Sequence, residues 1–448
     1  MEFIPQIIFI LAFGVAAFLI RKRVLRIAGN IQLGKSLTRT DKPSQRLKTM
    51  ILIALGQGKM FHKPIAGFMH LFIYVGFILV NIEVLEIVLD GILGTHRIFT
   101  NFLPASLYGF LIGFFELLAV LVIVACVVFL IRRNIIKVER FTKPELKGWA
   151  SLDANLILII EVVLMFFILT MNATDSILQT RTFEHNHYAH HQTAPFLFSQ
   201  FLMPIFSGIE NNTILVIIER ICWWGHILGI MAFALYVTYS KHLHIFLAFP
   251  NTYFSNLEPK GKFENMASVT NEVKLALELI QDDGTAPPPP TSFGANDVNN
   301  LTWKNIMDSY SCTECGRCTA ACPANITGKK LSPRKVMMDT RDRAEEVGSF
   351  IEKGKTIEEA LTMGNTLFSD TYISKEELMA CTTCNACAEA CPINIDPLNI
   401  IMQMRQYVAL EESSVPQHWA RILQNIQNNG SPWQISPAER FNWAEDVK

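Results

Sequence analysis

Apolar residues are unevenly distributed along this chain: before about residue 250 they gather into runs, and beyond it they thin into patches between charged positions. Five runs approach or exceed the length of about 20 apolar residues that crosses a bilayer: 3–20, 64–87, 107–131, 154–172 and 213–247. Arg21-Lys22-Arg23 follows the first run directly. A secretory signal carries its charges ahead of the apolar run, so 3–20 is expected to be a retained helix with its N-terminus outside. Residues 46–60 have a helical pattern along the surface, and Pro64 suits the first turn of the second span. In the second half, helical patterns occupy 333–350 after Ser332, 356–368 after Lys355, and 396–411. Pro287 to Pro290, after Asp282-Asp283-Gly284, predict a semi-rigid spacer that holds a soluble domain off the membrane. The tail, 412–448, reads as loop-like around Asn429-Gly430-Ser431-Pro432-Trp433.

Charge orients the spans. The 448 residues carry a net charge of −1, which hides a split: 251–448 has 18 Lys and Arg against 26 Asp and Glu, and the first half has 21 against 14. Segments 21–63 and 132–150 hold 11 and 6 basic residues, whereas 88–106 and 173–212 hold one each, Arg97 and Arg181. By the positive-inside rule the basic loops are cytoplasmic. Everything after residue 248 is then cytoplasmic as well, in a compartment that keeps thiols reduced. Nothing in the composition points to nucleic acid.

Eight of the ten cysteines form two runs of identical spacing, Cys312-Thr-Glu-Cys315-Gly-Arg-Cys318-Thr-Ala-Ala-Cys322-Pro323 and Cys381-Thr-Thr-Cys384-Asn-Ala-Cys387-Ala-Glu-Ala-Cys391-Pro392. In C-x2-C-x2-C-x3-C-P, three thiolates close on one [4Fe–4S] cube and the fourth ligates the other. This assigns Cys312, Cys315, Cys318 and Cys391 to one cluster, and Cys381, Cys384, Cys387 and Cys322 to the second. Zinc sites use paired C-x2-4-C units and leave the third cysteine and the C-P without a role. Disulfides are disfavoured by the compartment. Cys126 and Cys222 lie in apolar runs, where a small buried thiol is the ordinary reading. The fold class is therefore mainly α: a five-helix transmembrane bundle (1–250), a linker (251–300), a cytoplasmic α-helical dicluster ferredoxin-like domain (301–411) and a C-terminal tail (412–448).

Histidines within apolar spans are costly unless they serve a purpose. Span two offers His62 and His70, and span five offers His226, His242 and His244. On a continuous helix His226 and His244 share one face about 27 Å apart, whereas His242 points roughly 160° away. Antiparallel spans put His62 level with His244 and His70 level with His226, which predicts two b-type haems with those axial pairs. No C-x-x-C-H motif for covalent haem attachment is present. His185-Asn-His187-Tyr-Ala-His190-His191 has metal-binding composition but no carboxylate or cysteine partner, and a solvated loop is favoured. Glu161, Glu83, Glu86, Glu219 and Arg220 are candidates for proton relay or simple pairing, and the sequence does not choose among them.

The membrane half, with Gly67-Phe-Met-His70, Gly76-Phe77 and Tyr239-Ser240-Lys241-His242-Leu-His244, resembles the haem-b gamma subunits of respiratory nitrate reductases. The soluble half, with Tyr310-Ser-Cys312-Thr-Glu-Cys315-Gly-Arg-Cys318 and Ala380-Cys381-Thr-Thr-Cys384-Asn-Ala-Cys387, resembles the small iron–sulfur subunit of heterodisulfide reductases. Their fusion is similar to the front of membrane-bound heterodisulfide reductase-like proteins, including electron-transfer-flavoprotein:menaquinone oxidoreductases. The resemblance implies an inner-membrane oxidoreductase subunit that moves electrons between a cytoplasmic redox partner and membrane quinone, menaquinone in those relatives. It carries haem ligation over to His70, His226 and His244, with His62 the fourth position. Many relatives continue into domains with adjacent cysteine pairs, and this sequence contains none. The resemblance therefore implies a soluble partner: a cysteine-rich heterodisulfide reductase-like subunit, a flavoprotein, or both. No Ser/His/Asp or Cys/His constellation and no Gly-rich nucleotide loop argues for turnover of a soluble substrate on this chain. The competing reading is a membrane-anchored iron–sulfur sensor or docking subunit without haem.

Overall fold

The computed structural model describes residues 3–184, 186–190, 193, 196–263, 265–281 and 292–447. Helix α1 (Ile4–Ile31) leads to a short surface helix α2 (Pro43–Met50), and then come α3 (Pro64–Leu93), α4 (Ala105–Asn134) and α5 (Trp149–Gln179). One turn of helix, α6 (Met203–Ser207), precedes α7 (Asn212–Val237). Helices α1, α3, α4, α5 and α7 are long and apolar enough to cross a membrane. Each outruns the expected span at its C-terminus or at both ends, except α7. The expected surface helix at 46–60 is α2 followed by a wider π-type turn at Ile51–Leu55.

Small residues let these helices approach. A Cβ at Gly229 on α7 would stand 2.7 Å from Leu164 of α5, and one at Gly76 on α3 would stand 2.7 Å from Val122 of α4. Between membrane helices such close backbone approach supplies the packing that the hydrophobic effect cannot.

The fifth apolar run is not one helix to residue 247. Helix α7 ends at Val237, and Ser240 caps the following turn by accepting from the His242 N–H at 3.1 Å. The Ser240 hydroxyl and Tyr236 both donate to Asp153 of α5, at 2.6 and 2.5 Å. The chain restarts as α8 (His244–Tyr253). This break removes the basis of the His226 to His244 helix arithmetic.

Helices α9 (Ala267–Ala276), α10 (Trp303–Ser311), α11 (Arg317–Ala321), α12 (Pro323–Ile326), α13 (Pro333–Glu352), α14 (Ile357–Thr362), α15 (Lys375–Ala380), α16 (Ala386–Ala390), α17 (Pro397–Leu410) and α18 (Gln417–Asn429) follow. Among the described residues the only β-pairing is in isolated bridges. Helix α13 starts as expected, with Ser332 accepting from the Lys335 N–H. Helix α14 starts with a capping box between Thr356 and Glu359 but stops well short of 368: Met363 is already extended, and Gly364 follows at φ +72°. Helix α18 occupies part of the tail whose composition reads as loop-like. Gly430 in the left-handed region terminates it.

The cluster domain is not held away from the bundle. Lys35 and Thr302 form a β-bridge (Lys35 N to Leu301 O 2.7 Å, Trp303 N to Lys35 O 3.0 Å), and Arg334 donates to Arg140 O and Glu145, both at 2.7 Å. Arg23, near the end of α1, holds Glu345 of α13 through two bonds of 2.9 and 2.7 Å. These contacts overturn the expected stand-off. The proline spacer at 287–290 lies outside the described residues. Ala295, Val298 and Leu301 are buried in the same core as the cysteine loops, so 295–300 packs with the cluster domain and not as a linker.

Candidate redox site

Both cysteine runs fold alike. In each, the second and fourth residues after the first cysteine take positive φ: Glu314 and Gly316 in one, Thr383 and Asn385 in the other. That repeated left-handed geometry curls each loop around its thiols. Helices α11 and α16 then carry the third cysteines, Cys318 and Cys387.

Four of the thiols, Cys312, Cys315, Cys318 and Cys391, line one small cavity, so the last cysteine of the second run joins the first three of the first. Cys381 and Cys387 in turn interact electrostatically with Cys322. The structure therefore brings Cys391 of the second run beside the first three cysteines of the first, and Cys322 of the first run near Cys381 and Cys387 of the second. Among the described residues no three His, Cys, Asp or Glu side chains are arranged to share a single metal ion. Burial pushes the thiols of Cys312, Cys387 and Cys391 up to about 12. Thiols so placed become thiolates at neutral pH only opposite a strong positive charge such as iron. Backbone N–H groups of Thr383 and Ile395 point at the sulfurs of Cys381 and Cys391, at 3.4 and 3.3 Å. Glu314 is buried beside the first group, which alone would raise its carboxyl, but Lys241 and Arg341 draw it below the usual range.

The two groups face different surroundings. Cys384 is exposed. Cys315 and Pro392, by contrast, line a second cavity of about 330 Å³ that enters the bundle and is also lined by His70, His242 and His244. The rings of His70 and His244 are 6.4 Å apart, centre to centre. Two imidazoles binding one metal from opposite sides at about 2.0–2.1 Å have ring centres roughly 6–6.5 Å apart. His244 Nδ1 lies 3.1 Å from Lys241 O, which leaves Nε2 for another partner. Buried His70 Nδ1 has no partner.

This arrangement corrects the expected pairings. His70 stands beside His244, not level with His226. His62 sits exposed on the turn before α3. His70 lies in the second turn of α3, and the break after Val237 returns His244 to that depth. His242, set aside by the helix arithmetic, lines the same cavity, its ring 5.3 Å from that of His244. His226 is fully buried, with Nδ1 2.9 Å from Leu164 O and Nε2 without a partner. A histidine that holds a metal fixes its other nitrogen on a backbone carbonyl in this way. In the outer loop His185 and His191 lie outside the described residues. Glu161 lines the histidine cavity, Glu83 and Glu86 line a different one, and Glu219 pairs with Arg220.

The chain thus joins five helices long and apolar enough to cross a membrane to eight cysteines in two runs of iron–sulfur spacing. Residues 311–395 match the 4Fe-4S dicluster domain family. The chain is 27% identical over 98% of its length to the protein of Bacillus subtilis named "Probable iron-sulfur-binding oxidoreductase FadF", of which it covers 61%. It is 27% identical over 91% of its length to the EtfAB:quinone oxidoreductase of Syntrophomonas wolfei, of which it covers 55%. Over 38% of its length it is 32% identical to a protein of Chromohalobacter salexigens named "Probable membrane-anchored ferredoxin", of which it covers 26%. The chain thus spans little more than half the length of the first two relatives. No solved structure matches.

Proposed function

We propose that this chain conducts electrons between a soluble redox partner, docking near Cys384, and quinone in the membrane. Two [4Fe–4S] clusters and b-type haem would supply the one-electron carriers. The observation that carries this reading is the cavity that joins Cys315 and Pro392 to His70, His242 and His244. It continues a cysteine group directly into a histidine pair inside the bundle.

The residues present fit these groups. Cys312, Cys315, Cys318 and Cys391 would hold the inner cluster, and Cys381, Cys384, Cys387 and Cys322 the solvent-facing one. His70 and His244 would hold haem, whose iron would supply a one-electron carrier there. Arg133 and Arg140 line the same cavity and suit its carboxylate substituents. His226 retains a buried nitrogen without a partner, which suits a second haem. Exposed Cys384 suits exchange with a partner, for which the relatives suggest a flavoprotein or a heterodisulfide reductase-like subunit. The distribution of basic residues favours a cytoplasmic cluster domain.

The test is the cofactor content of protein purified in detergent without oxygen, with spectra before and after dithionite. Cluster iron for two cubes together with b haem is expected, and His244→Ala is expected to lose haem and keep the clusters. Full cluster iron without haem in the unaltered chain would sink the reading and favour a membrane-anchored sensor.

A further inference from the structure

We propose that the surface segment ahead of α3 is a binding site for anionic phospholipid. Residues 43–55, helix α2 and the π-type turn after it, lie in the leaflet on the cluster-domain side. Leu47, Ile51, Leu52 and Leu55 sit among the acyl chains, and Lys48 and Lys63 take the headgroup phosphate. This goes beyond the electron-transfer reading and does not depend on it.

The segment is firmly packed, and its packing turns one face outward. Arg46 is 1% exposed: its guanidinium donates to the Tyr253 and Ser255 carbonyls at the end of α8, at 3.2 and 3.0 Å, and to Asp41 at 2.6 Å. Ala54, also buried, lines the histidine cavity together with Gln57 and Met60. On the other face Leu47, Ile51 and Leu55 recur every four residues, the spacing of one helix face, and Leu52 adjoins them. All four are between 44 and 53% exposed. Such a group of large apolar side chains marks a contact with a membrane or another molecule.

Two observations select lipid. The first is continuity with the bundle surface. Phe61 packs edge to face on Phe68, one turn into α3, with ring centres 5.4 Å apart, and Phe61, Ile65 and Phe68 are all exposed. Helix α3 is long and apolar enough to cross a membrane, so these side chains meet acyl chains where it enters the bilayer. The leucine stripe lies just ahead of them in the chain, and a soluble protein seated on it would compete with the lipid around α3.

The second is charge. Residues 42–63 hold five Lys and Arg and no Asp or Glu. Lys42 pairs with Glu258, Arg46 with Asp41, and Lys59 donates to the carbonyls of Glu389 and Cys391. Among the described residues, Lys48 and Lys63 are exposed and have no hydrogen-bond or ion-pair partner. Lys48 adjoins Leu47, and Lys63 stands immediately ahead of Pro64, so both ammonium groups can reach from apolar surroundings to the headgroup layer. A helix with an apolar face flanked by lysines lies in the plane of the interface. Each lysine near an anionic surface strengthens binding about fivefold.

The test uses the full chain in nanodiscs of equal parts phosphatidylcholine and phosphatidylglycerol, with photoreactive p-benzoylphenylalanine in place of Leu52. Illumination is expected to attach one phospholipid, and the mass of the adduct identifies which. A crosslink to a second copy of the chain, or no lipid adduct, would overturn the placement in the leaflet. Phosphatidylglycerol adducts are expected to outnumber phosphatidylcholine adducts at least tenfold. Adding Lys48→Gln and Lys63→Gln should bring the ratio within threefold of unity with the iron–sulfur spectrum unchanged. Adding Lys42→Gln instead, at a lysine already paired with Glu258, should leave it above tenfold. Equal labelling by the two lipids without the lysine changes, or a ratio that survives loss of Lys48 and Lys63, would overturn the headgroup assignment.

Discussion

The contact between α1 and α13 sets how firmly the cluster domain is docked. Arg23 is 8% exposed and Glu345 is 23% exposed, and two hydrogen bonds join them. Tyr310 also donates to Glu345 at 2.6 Å, and Asn30 donates to Tyr310 at 2.8 Å. In Glu345→Ala the Arg23 guanidinium keeps only its bond to Thr238 O at 3.2 Å. Removing one partner of a buried pair costs about 3–5 kcal/mol, and the partial exposure of Glu345 brings this to roughly 2–3 kcal/mol. That corresponds to an increase of about 30- to 140-fold in the undocked population. The amides that report it bridge the two halves: Lys35 N–H bonded to Leu301 O, and Trp303 N–H bonded to Lys35 O. Hydrogen exchange at 33–37 and 301–305, read by mass spectrometry in detergent, should accelerate by that factor. Arg23→Ala combined with Glu345→Ala should cost less than the sum of the single changes, because the two groups are in contact. The effect also depends on pH. Burial alone would raise the Glu345 carboxyl, but bonds from Arg23 and Tyr310 and the charges of Arg23 and Arg26 hold it below its ordinary 4.5. A depressed acid stabilises above its unfolded value, and that contribution is lost as pH falls through the folded one. The ratio of exchange rates, Glu345→Ala over unaltered, should therefore be full above about pH 4.5 and shrink below it. Exchange within threefold of the unaltered chain at neutral pH would show that the clamp does not hold the domain.

Replacing Cys391 with Ser should damage the cluster held by Cys312, Cys315 and Cys318 and spare the one held by Cys381, Cys384 and Cys387; electron paramagnetic resonance after stepwise reduction separates them, and loss of the latter alone would refute the crossed ligation. His62→Ala should retain the haem spectrum that His244→Ala loses, and the opposite result would restore the expected His62 pairing. Gly316→Ala should lower cluster retention, since φ is +71° and the added Cβ meets Arg334. Asn385→Gly, at the matching position with φ 61°, should keep its cluster, because glycine adopts that conformation without strain. Iron content after gel filtration checks both.

Much of the bundle was legible because its signals are local: a run of apolar residues needs only its own length to predict a membrane helix, and two identical cysteine spacings need only each other. What escaped depends on contacts between distant segments. The helix break after Val237 contains no proline or glycine in Thr238-Tyr239-Ser240, and only the fold reveals that Asp153, 87 residues away, accepts from Ser240. Helix α18 was legible in principle, with Trp419, Ile422, Leu423 and Ile426 at helical spacing and Gly430 behind them. The polar composition of the tail obscured it. Docking left no periodic trace, because Arg23 and Arg334 look like ordinary helix charges until their partners are known.

The depth of each histidine joins these misses into one argument. Had the fifth span run unbroken to 247, His244 would have projected beyond the end of α3 and found His62. Because Ser240 and Asp153 stop α7 early, α8 folds back beneath the bundle, and the same sequence delivers His244 to His70. The turn that does this also aims Lys241 at Glu314, at 2.5 Å, inside the first cysteine loop. One local break therefore sets the histidine pair and ties it to the cysteine group beside it. Substituting Ser240 with Ala should then disturb both ends together. The expected result is a broadened haem spectrum and a shifted potential for the inner cluster in the same protein, with the solvent-facing cluster unchanged. A change at only one end would show that the two are positioned independently.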